Sequence, residues 1–427
     1  MQVIRASHPA GIQYNSPQNH SINTPGLHTD WTTPLDSNRM NRIRVLFCSS
    51  TMDGGGSERQ LLYLLKGLDR SLFEPWLYLL RATGPLINQI PEDCSMTAFW
   101  TDRPSPKINW PGRIHRQQIQ HLANHIRTQG IEVLYDRLFH MTMISGPACL
   151  EAHCARVSTI VSPPQFDVMR RDNRWRWIKR HRLAKAYAAS QALLSVSQGT
   201  AQSAADFYRI PMSRFEIVPS PIDIKTIEAK SQQAIGLPTW TEPAKKIVAI
   251  GRLGTEKGHP ELLEAFALLV ANCGKNYQLH IAGEGPLRQS LENRIRELNL
   301  NDCAFLHGHM SNPYPLLKQG DLFVLPSHYE GLPNVMLEAM LCRCPILATN
   351  TEQGAGEYLR AEPLGELVPV ASISGLLVSM IDRFENPNKW TTRAELAYNH
   401  VLKHHNLEHW IQSLSGILQR AAQSQIP

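Results

Sequence analysis

Apolar residues along this 427-residue chain fall into two repeating series separated by a polar gap. The first series opens with "RIRVLFCSS" and continues through "FEPWLYLL", "RIHRQQIQHLANHIRTQ", "EVLYD", "RVSTIV", "ALLSVS" and "EIVPS". After a polar stretch from about 224 to 244 the rhythm resumes with "KKIVAIG", "PELLEAFALLV", "YQLHIAG", "PLRQSLENRIREL", "AFLHG", "DLFVLPS" and "PILATN". Short apolar runs suit strands buried on both faces, and apolar positions three or four apart suit amphipathic helices. Strands alternating with helices imply parallel sheets covered on both sides. Two such series imply an α/β protein of two doubly wound domains facing each other across a cleft. The predicted divisions are a disordered polar leader over 1–40, a first domain over 41–222, a linker over 223–244, a second domain over 245–400, and a C-terminal helical segment over 401–427 that packs back across the domains.

One segment strains this pattern. In "LPSHYEGLPNVMLEAM", Leu325 to Met340, a helix starting near Pro333 is apolar around nearly its whole circumference, yet it carries Glu338. Such a helix is normally buried, and a buried carboxylate without a partner is costly. Something must meet Glu338.

Ligands of open parallel sheets bind beyond the carboxyl ends of the strands, so the strand-to-helix loops carry the candidate chemistry. "SSTMDGGGSER" follows the first strand, and Gly54, Gly55 and Gly56 let backbone approach a ligand at a helix start. "AIGRLGTEKGHPE" places Arg252 and Lys257 past the first strand of the second series. A forked guanidinium and a point-charge ammonium there suit a diphosphate, although the stretch is no Walker loop. "HIAGEGPLRQSL" lacks the third glycine of a dinucleotide fingerprint, with Arg288 at that spacing, and reads as a structural turn. In "LPSHYEGLPNVMLEAM", Glu330 stands in the loop after a strand and Glu338 lies over a turn into the cleft-facing helix. Two carboxylates so placed accept hydrogen bonds from the hydroxyls of a polyol, while the cations take its anionic part. A sugar joined to a nucleoside diphosphate has this layout.

Composition changes the picture little. A hydrophobic fraction of 42%, a charged fraction of 19% and a net charge of +6 describe a globular protein. Eight scattered cysteines have neither zinc-ribbon nor redox-motif spacing, which predicts reduced thiols. No apolar run reaches the length of a spanning helix, and no signal-peptide layout is seen, so the expected location is the cytoplasm. "MRRDNRWRWIKRHRLAKAYA", 169–188, holds six Arg and two Lys against one Asp, with Trp175, Trp177 and Ile178 interleaved. It reads either as a solvated outer helix or as a contact with an anionic membrane at its inner face. Without a recognition motif it does not suggest nucleic acid.

These residues carry a resemblance. "EGLPNVMLEAM" resembles the Glu-x7-Glu signature of the retaining family 4 glycosyltransferases of the GT-B fold, and "GRLGTEKG" their phosphate-binding Arg and Lys. "GGGSER" is similar to their first N-terminal loop, "LLSVSQGTAQ" and "IVPSPID" to the interdomain segment, and "PILATNTEQGAGEYL" to the turn and helix after the signature. The likeness spans roughly 42–425 and is stronger in the second half. It implies two Rossmann-like domains and transfer of a sugar from a UDP- or GDP-type donor to a hydroxyl acceptor with retention. The acceptor would be one of surface polysaccharide or glycolipid synthesis, including lipid-linked forms. The resemblance assigns Glu338 to the ribose, Glu330 to the donor sugar, Arg252 and Lys257 to the diphosphate, and backbone near Gly331, Leu332, Asn334 and Val335 to the donor. Gly54 to Gly56 would line the opposite wall. It implies no metal and no cofactor beyond the nucleotide-sugar co-substrate. The histidine that many members carry after the strand matching "RVSTIV" is absent; "SPPQFD" follows, leaving Gln165 or Asp167, or Asp136 and His140 one loop earlier, as acceptor-side candidates. Ser220-Pro221 replaces the usual interdomain Asn-Gly. Two other readings stay open: a non-catalytic sugar-nucleotide sensor or scaffold, and a dinucleotide-dependent oxidoreductase, which the incomplete glycine fingerprint disfavours.

Overall fold

The computed structural model describes residues 42–101, 110, 112–165, 176–241, 243–274 and 276–424. The predicted leader, Asp167, and the first part of the basic segment lie outside the described residues.

The first apolar series forms strands β1 (Ile43–Ser49), β2 (Phe73–Leu79), β3 (Ser95–Ala98), β4 (Val133–Arg137), β5 (Ala155–Ile160), β6 (Ala192–Ser195) and β7 (Phe215–Ile217). They make one parallel sheet in the order β3-β2-β1-β4-β5-β6-β7. The second series forms β8 (Lys245–Ile250), β9 (Tyr277–Ala282), β10 (Ala304–Gly308), β11 (Leu322–Leu325), β12 (Ile346–Thr349) and β13 (Glu366–Val368), parallel in the order β10-β9-β8-β11-β12-β13. The strands are apolar on both faces because helices cover both faces, and β1, β4, β8 and β11 are almost wholly buried. Strand order reverses between β1 and β4 in one sheet and between β8 and β11 in the other. Those reversals open the crevices where ligands of such sheets bind.

Two elements escape the sequence pattern. β3 is a short edge strand with half-exposed residues. The helix Phe139–Ala152 packs between helices Arg113–Gln129 and Arg176–Ala188, so its apolar residues show no single stripe. The predicted linker is also more than a linker. Helix Ile224–Ser231 packs against helices Tyr314–Gln319 and Asn334–Leu341, and its Ile227 joins the second-domain core.

The chain crosses between the sheets in two adjacent segments. Ile222 donates its N–H to the His405 carbonyl at 2.9 Å, and the His405 imidazole meets the Ser220 carbonyl at 2.6 Å and the Tyr358 hydroxyl at 2.7 Å. Helix Pro387–His404 belongs to the second domain, past the predicted division at 400. Helix Leu407–Gln423 then returns to the first sheet and buries Trp410, Leu414, Ile417, Leu418 and Ala421 against the face carrying Phe47 and Tyr135. All eight cysteines are free thiols.

Candidate active site

The loops after β8 and β11 are pressed together and braced by polar contacts. Gly258 has φ +63°, and a Cβ there would strike the Pro326 carbonyl, so only glycine permits the approach. His328 donates its N–H to the Glu256 carbonyl at 2.8 Å, and its ring meets Glu261 Oε1 at 2.9 Å. The short 3-10 turn Thr255–Lys257 aims the Lys257 ammonium at the Glu330 carboxylate, with which it forms an ion pair. Glu330 also accepts from Ser327 Oγ at 2.8 Å. Arg252 stands exposed nearby, with no ion pair among the described residues. The sequence-predicted Glu330, Lys257 and Arg252 thus occupy loops at one sheet's strand-order reversal, and Ser327 is a partner that the sequence did not reveal.

Glu338 lies in the helix Asn334–Leu341, with Pro333 just before its first residue. The helix is buried as expected, and Glu338 is only 8% exposed. Its partner is a protein group from the other domain: Arg59 Nη1 lies 3.6 Å from Glu338 Oε1. Burial pushes the Glu338 carboxyl above the usual carboxylate range, and the Arg59 charge pulls it back. Burial raises the neighbouring Tyr63 hydroxyl to about 12 and the Cys342 thiol to about 12, so both stay neutral. Arg59 also donates from Nε to the Gly54 carbonyl at 3.1 Å. One guanidinium therefore ties the glycine loop, where Gly54 has φ +94°, to the signature helix.

The remaining predicted donor-side residues lie along the same seam. A Cβ on Gly56 would come 2.6 Å from Asn334 Nδ2, and Gln60 Nε2 donates to Asn334 Oδ1 at 3.4 Å. A Cβ on Gly331 would collide with the Val161 carbonyl at the end of β5, and one on Gly354 would collide with the Gly331 carbonyl. Gly331 is sandwiched between the two domains. Gly55 precedes the helix Gly56–Gly67 as its N-cap. The Leu332 side chain is buried in the second-domain core, and Val335 packs against it. Glu357 reaches the opposite domain and accepts from Ser197 Oγ at 2.8 Å and Gly199 N–H at 2.9 Å, at the start of helix Gln198–Tyr208.

The acceptor-side candidates separate. Asp136 is fully buried on the far face of β4, paired with Arg156 at 3.0 Å and accepting from Thr142 and Ser145. Its reading as an acceptor contact is corrected: its carboxylate is consumed by a sealed internal network. His140 is exposed at the start of helix Phe139–Ala152, its ring 3.8 Å from that of Phe139. Gln165 accepts from Ser203 and lines a recess of about 620 Å³ with Arg180, Gln202 and, from the second domain, Gln353. The structure does not bring Asp136, His140 and Gln165 together.

Two parallel α/β domains with their strand-reversal loops face to face define the GT-B class of fold. The structure of Anabaena HepE in complex with UDP matches with a TM-score of 0.70 at 17% identity, covering 88% of this chain and 100% of that one. A glycosyltransferase from Rickettsia africae matches with a TM-score of 0.71 at 15% identity, covering 90% of this chain and 100% of that one. The chain belongs to family 4 of the glycosyltransferases: the family model described as Glycosyltransferase Family 4 matches residues 54–226, and the one described as Glycosyl transferases group 1 matches 237–400. Among similar proteins is the Campylobacter jejuni N-acetylgalactosamine-N,N'-diacetylbacillosaminyl-diphospho-undecaprenol 4-alpha-N-acetylgalactosaminyltransferase. It is 30% identical over 216 residues, 49% of this chain and 57% of that protein. The alpha-D-kanosaminyltransferase of Streptomyces kanamyceticus is 28% identical over 264 residues, 60% of this chain and 66% of that protein. This chain therefore spans a little over half to about two thirds of the lengths of these curated relatives.

Proposed function

We propose that the protein is a glycosyltransferase that moves a sugar from a nucleoside-diphosphate donor of UDP or GDP type to a hydroxyl acceptor, with retention at the transferred carbon. The observation that carries this reading is the convergence of Lys257, Arg252 and Glu330 at one strand reversal, beside Glu338 and opposite the glycine loop. On donor binding, Lys257 exchanges the Glu330 carboxylate for the diphosphate, where it and Arg252 offset the charge that develops as the sugar leaves. Glu330, released from Lys257, accepts hydrogen bonds from donor-sugar hydroxyls, and Glu338 from the ribose. The two cations do this charge work in our reading, with no metal assigned to the step. The acceptor hydroxyl attacks from the face the diphosphate leaves, and the leaving phosphate takes its proton.

A surface feature favours an acceptor at a membrane. Helices Arg113–Gln129, Phe139–Ala152 and Arg176–Ala188 enclose a groove of about 660 Å³ lined by Ile119, Met143 and Leu150 together with Arg116, Arg182 and Lys185. Those three helices contain one acid, Glu151, already paired with Arg127. Trp177, in helix Arg176–Ala188, is 72% exposed. We place this face against an anionic bilayer on the cytoplasmic side, presenting a lipid-linked acceptor in glycolipid or polysaccharide synthesis. No described helix is long and apolar enough to cross a membrane.

The test is a panel of UDP- and GDP-sugars, scored by thermal shift and by release of free nucleotide with candidate acceptors. Turnover that falls about 100- to 1,000-fold in Lys257→Ala, with the thermal midpoint retained, is the expected result. Nucleotide-sugar binding without turnover for any acceptor would favour the sensor reading instead. Stabilisation by NAD(P)H and by no nucleotide sugar would refute the proposal.

A further inference from the structure

Among the described residues of the first domain, one buried cation lacks a counter-charge. Arg137, the last residue of β4, is 6% exposed. Its Nη1 donates to the Tyr135 hydroxyl at 2.9 Å, and that hydroxyl also accepts from Thr159 Oγ1 at 3.0 Å. Its Nε is sealed without a partner, and no carboxylate pairs with it among the described residues. The contrast with Arg156 is direct. Arg156 is as deeply buried, but it is neutralised by Asp136, the residue just before Arg137. A neutral phenol cannot compensate a guanidinium, and burying an unpaired charge opposes folding. Side chains alternate along a strand, so Asp136 serves the far face of β4 while Tyr135 and Arg137 share the other.

The position gives this charge a use. β4 flanks β1 at the strand-order reversal of the first sheet, with Asp136 in register with Cys48. Arg137 is in register with Thr159, two residues before Val161, whose carbonyl abuts Gly331 of the donor-side turn. Arg137 therefore ends its strand on the wall that faces the Glu330 loop.

We propose that Arg137 is a binding residue for an oxyanion held between the domains, a phosphoryl or carboxylate group of bound substrate. The identity of the cleft rests on the glycosyltransferase reading above; the demand of a buried guanidinium for an anion does not. The oxyanion comes either from the donor diphosphate or from an acidic group of the acceptor. A forked guanidinium suits either, because both present paired oxygens.

The experiment uses the full chain with Arg137→Met and Arg137→Lys. Thermal midpoints of the empty proteins are compared. Affinities are then measured for UDP and GDP, for uridine and guanosine, for pyrophosphate alone, and for pyrophosphate added to protein saturated with nucleoside diphosphate. Removing an unpaired buried charge raises the midpoint of empty Arg137→Met. The same variant loses about tenfold or more in affinity for one anion, and Arg137→Lys recovers part of it. Loss for UDP or GDP with nucleoside affinity retained assigns the donor diphosphate. Loss confined to pyrophosphate on the saturated protein assigns the acceptor side. If wild type binds no nucleoside diphosphate, the donor reading fails, and pyrophosphate alone still decides the role of Arg137. A lower midpoint for empty Arg137→Met, or anion affinities equal to wild type, overturns the proposal.

Discussion

The Arg59–Glu338 pair can be tested by a double-mutant cycle. At 3.6 Å and an effective dielectric of about 20, two unit charges attract by about 4–5 kcal/mol. Arg59 is 42% exposed on its side chain, so water screens most of this, and the net coupling falls to about 1 kcal/mol. Arg59→Ala should therefore destabilise the empty protein by about 1 kcal/mol at pH 7, and Glu338→Gln in that background should restore about as much. The sign of the pH dependence follows from burial. The Glu338 pKa is raised in the folded protein, so its contribution favours folding below the unfolded carboxyl value and is lost as pH rises through the folded one. Arg59→Ala removes the charge that pulls this pKa down and raises it further. The cost of the variant should then shrink as pH falls through that raised value. Denaturant unfolding of the four proteins at pH 7 and near pH 4 measures both effects. Additive single-variant effects within about 0.3–0.5 kcal/mol, or a cost of Arg59→Ala independent of pH, would refute the pairing.

Three further outcomes are expected. Gly331→Ala must displace the Val161 carbonyl, so it should cost about 1–3 kcal/mol in unfolding free energy and weaken nucleotide affinity; a midpoint equal to wild type would show that the seam yields freely. Neutralising Arg182 and Lys185 together should weaken sedimentation with anionic liposomes by about 2 kcal/mol, at about 1 kcal/mol per charge; undiminished binding would remove this face from the membrane. Burial lowers the His405 pKa to about 4, so His405 contributes stability above the unfolded value near 6.5 that is lost as pH falls through about 4. Replacing it with Asn should flatten part of the acid-induced loss of midpoint over that window, and an unchanged profile would exclude it.

What the sequence disclosed and what it withheld divide along physical lines. Strands buried on both faces, glycines at loops and cations past strand ends are local patterns, so both sheets and the loops bearing Lys257, Arg252 and Glu330 could be read directly. The helix Phe139–Ala152 could not, because burial on several sides erases the periodicity that marks a helix. Asp136 misled for a similar reason: a carboxylate at a strand end looks alike in sequence whether it faces a ligand or Arg156. Arg59 was visible within "GGGSER", but nothing local announces a partner in the other domain.

The Arg59–Glu338 pair ties the two domains together across the cleft. Each signature carboxylate is held by a cation, yet the two arrangements differ. Lys257 and Glu330 belong to one domain, so exchanging their ion pair for substrate leaves the domains where they are. Arg59 and Glu338 belong to different domains, so a ribose that took Glu338, as proposed above, would also release a tie across the seam. Arg59 also donates to the Gly54 carbonyl, so in the proposed exchange that bond would keep a charged guanidinium on the glycine loop beside the incoming nucleotide. In the proposed reaction, nucleotide binding and the setting of the glycine loop are thus linked through one side chain. Arg59→Lys separates the two functions: it keeps a charge for Glu338 but loses the forked geometry that also reaches Gly54. It should preserve most of the stability of the empty protein while weakening the nucleotide affinity that depends on the loop. Equal losses in both would leave Arg59 as a simple interdomain ion pair.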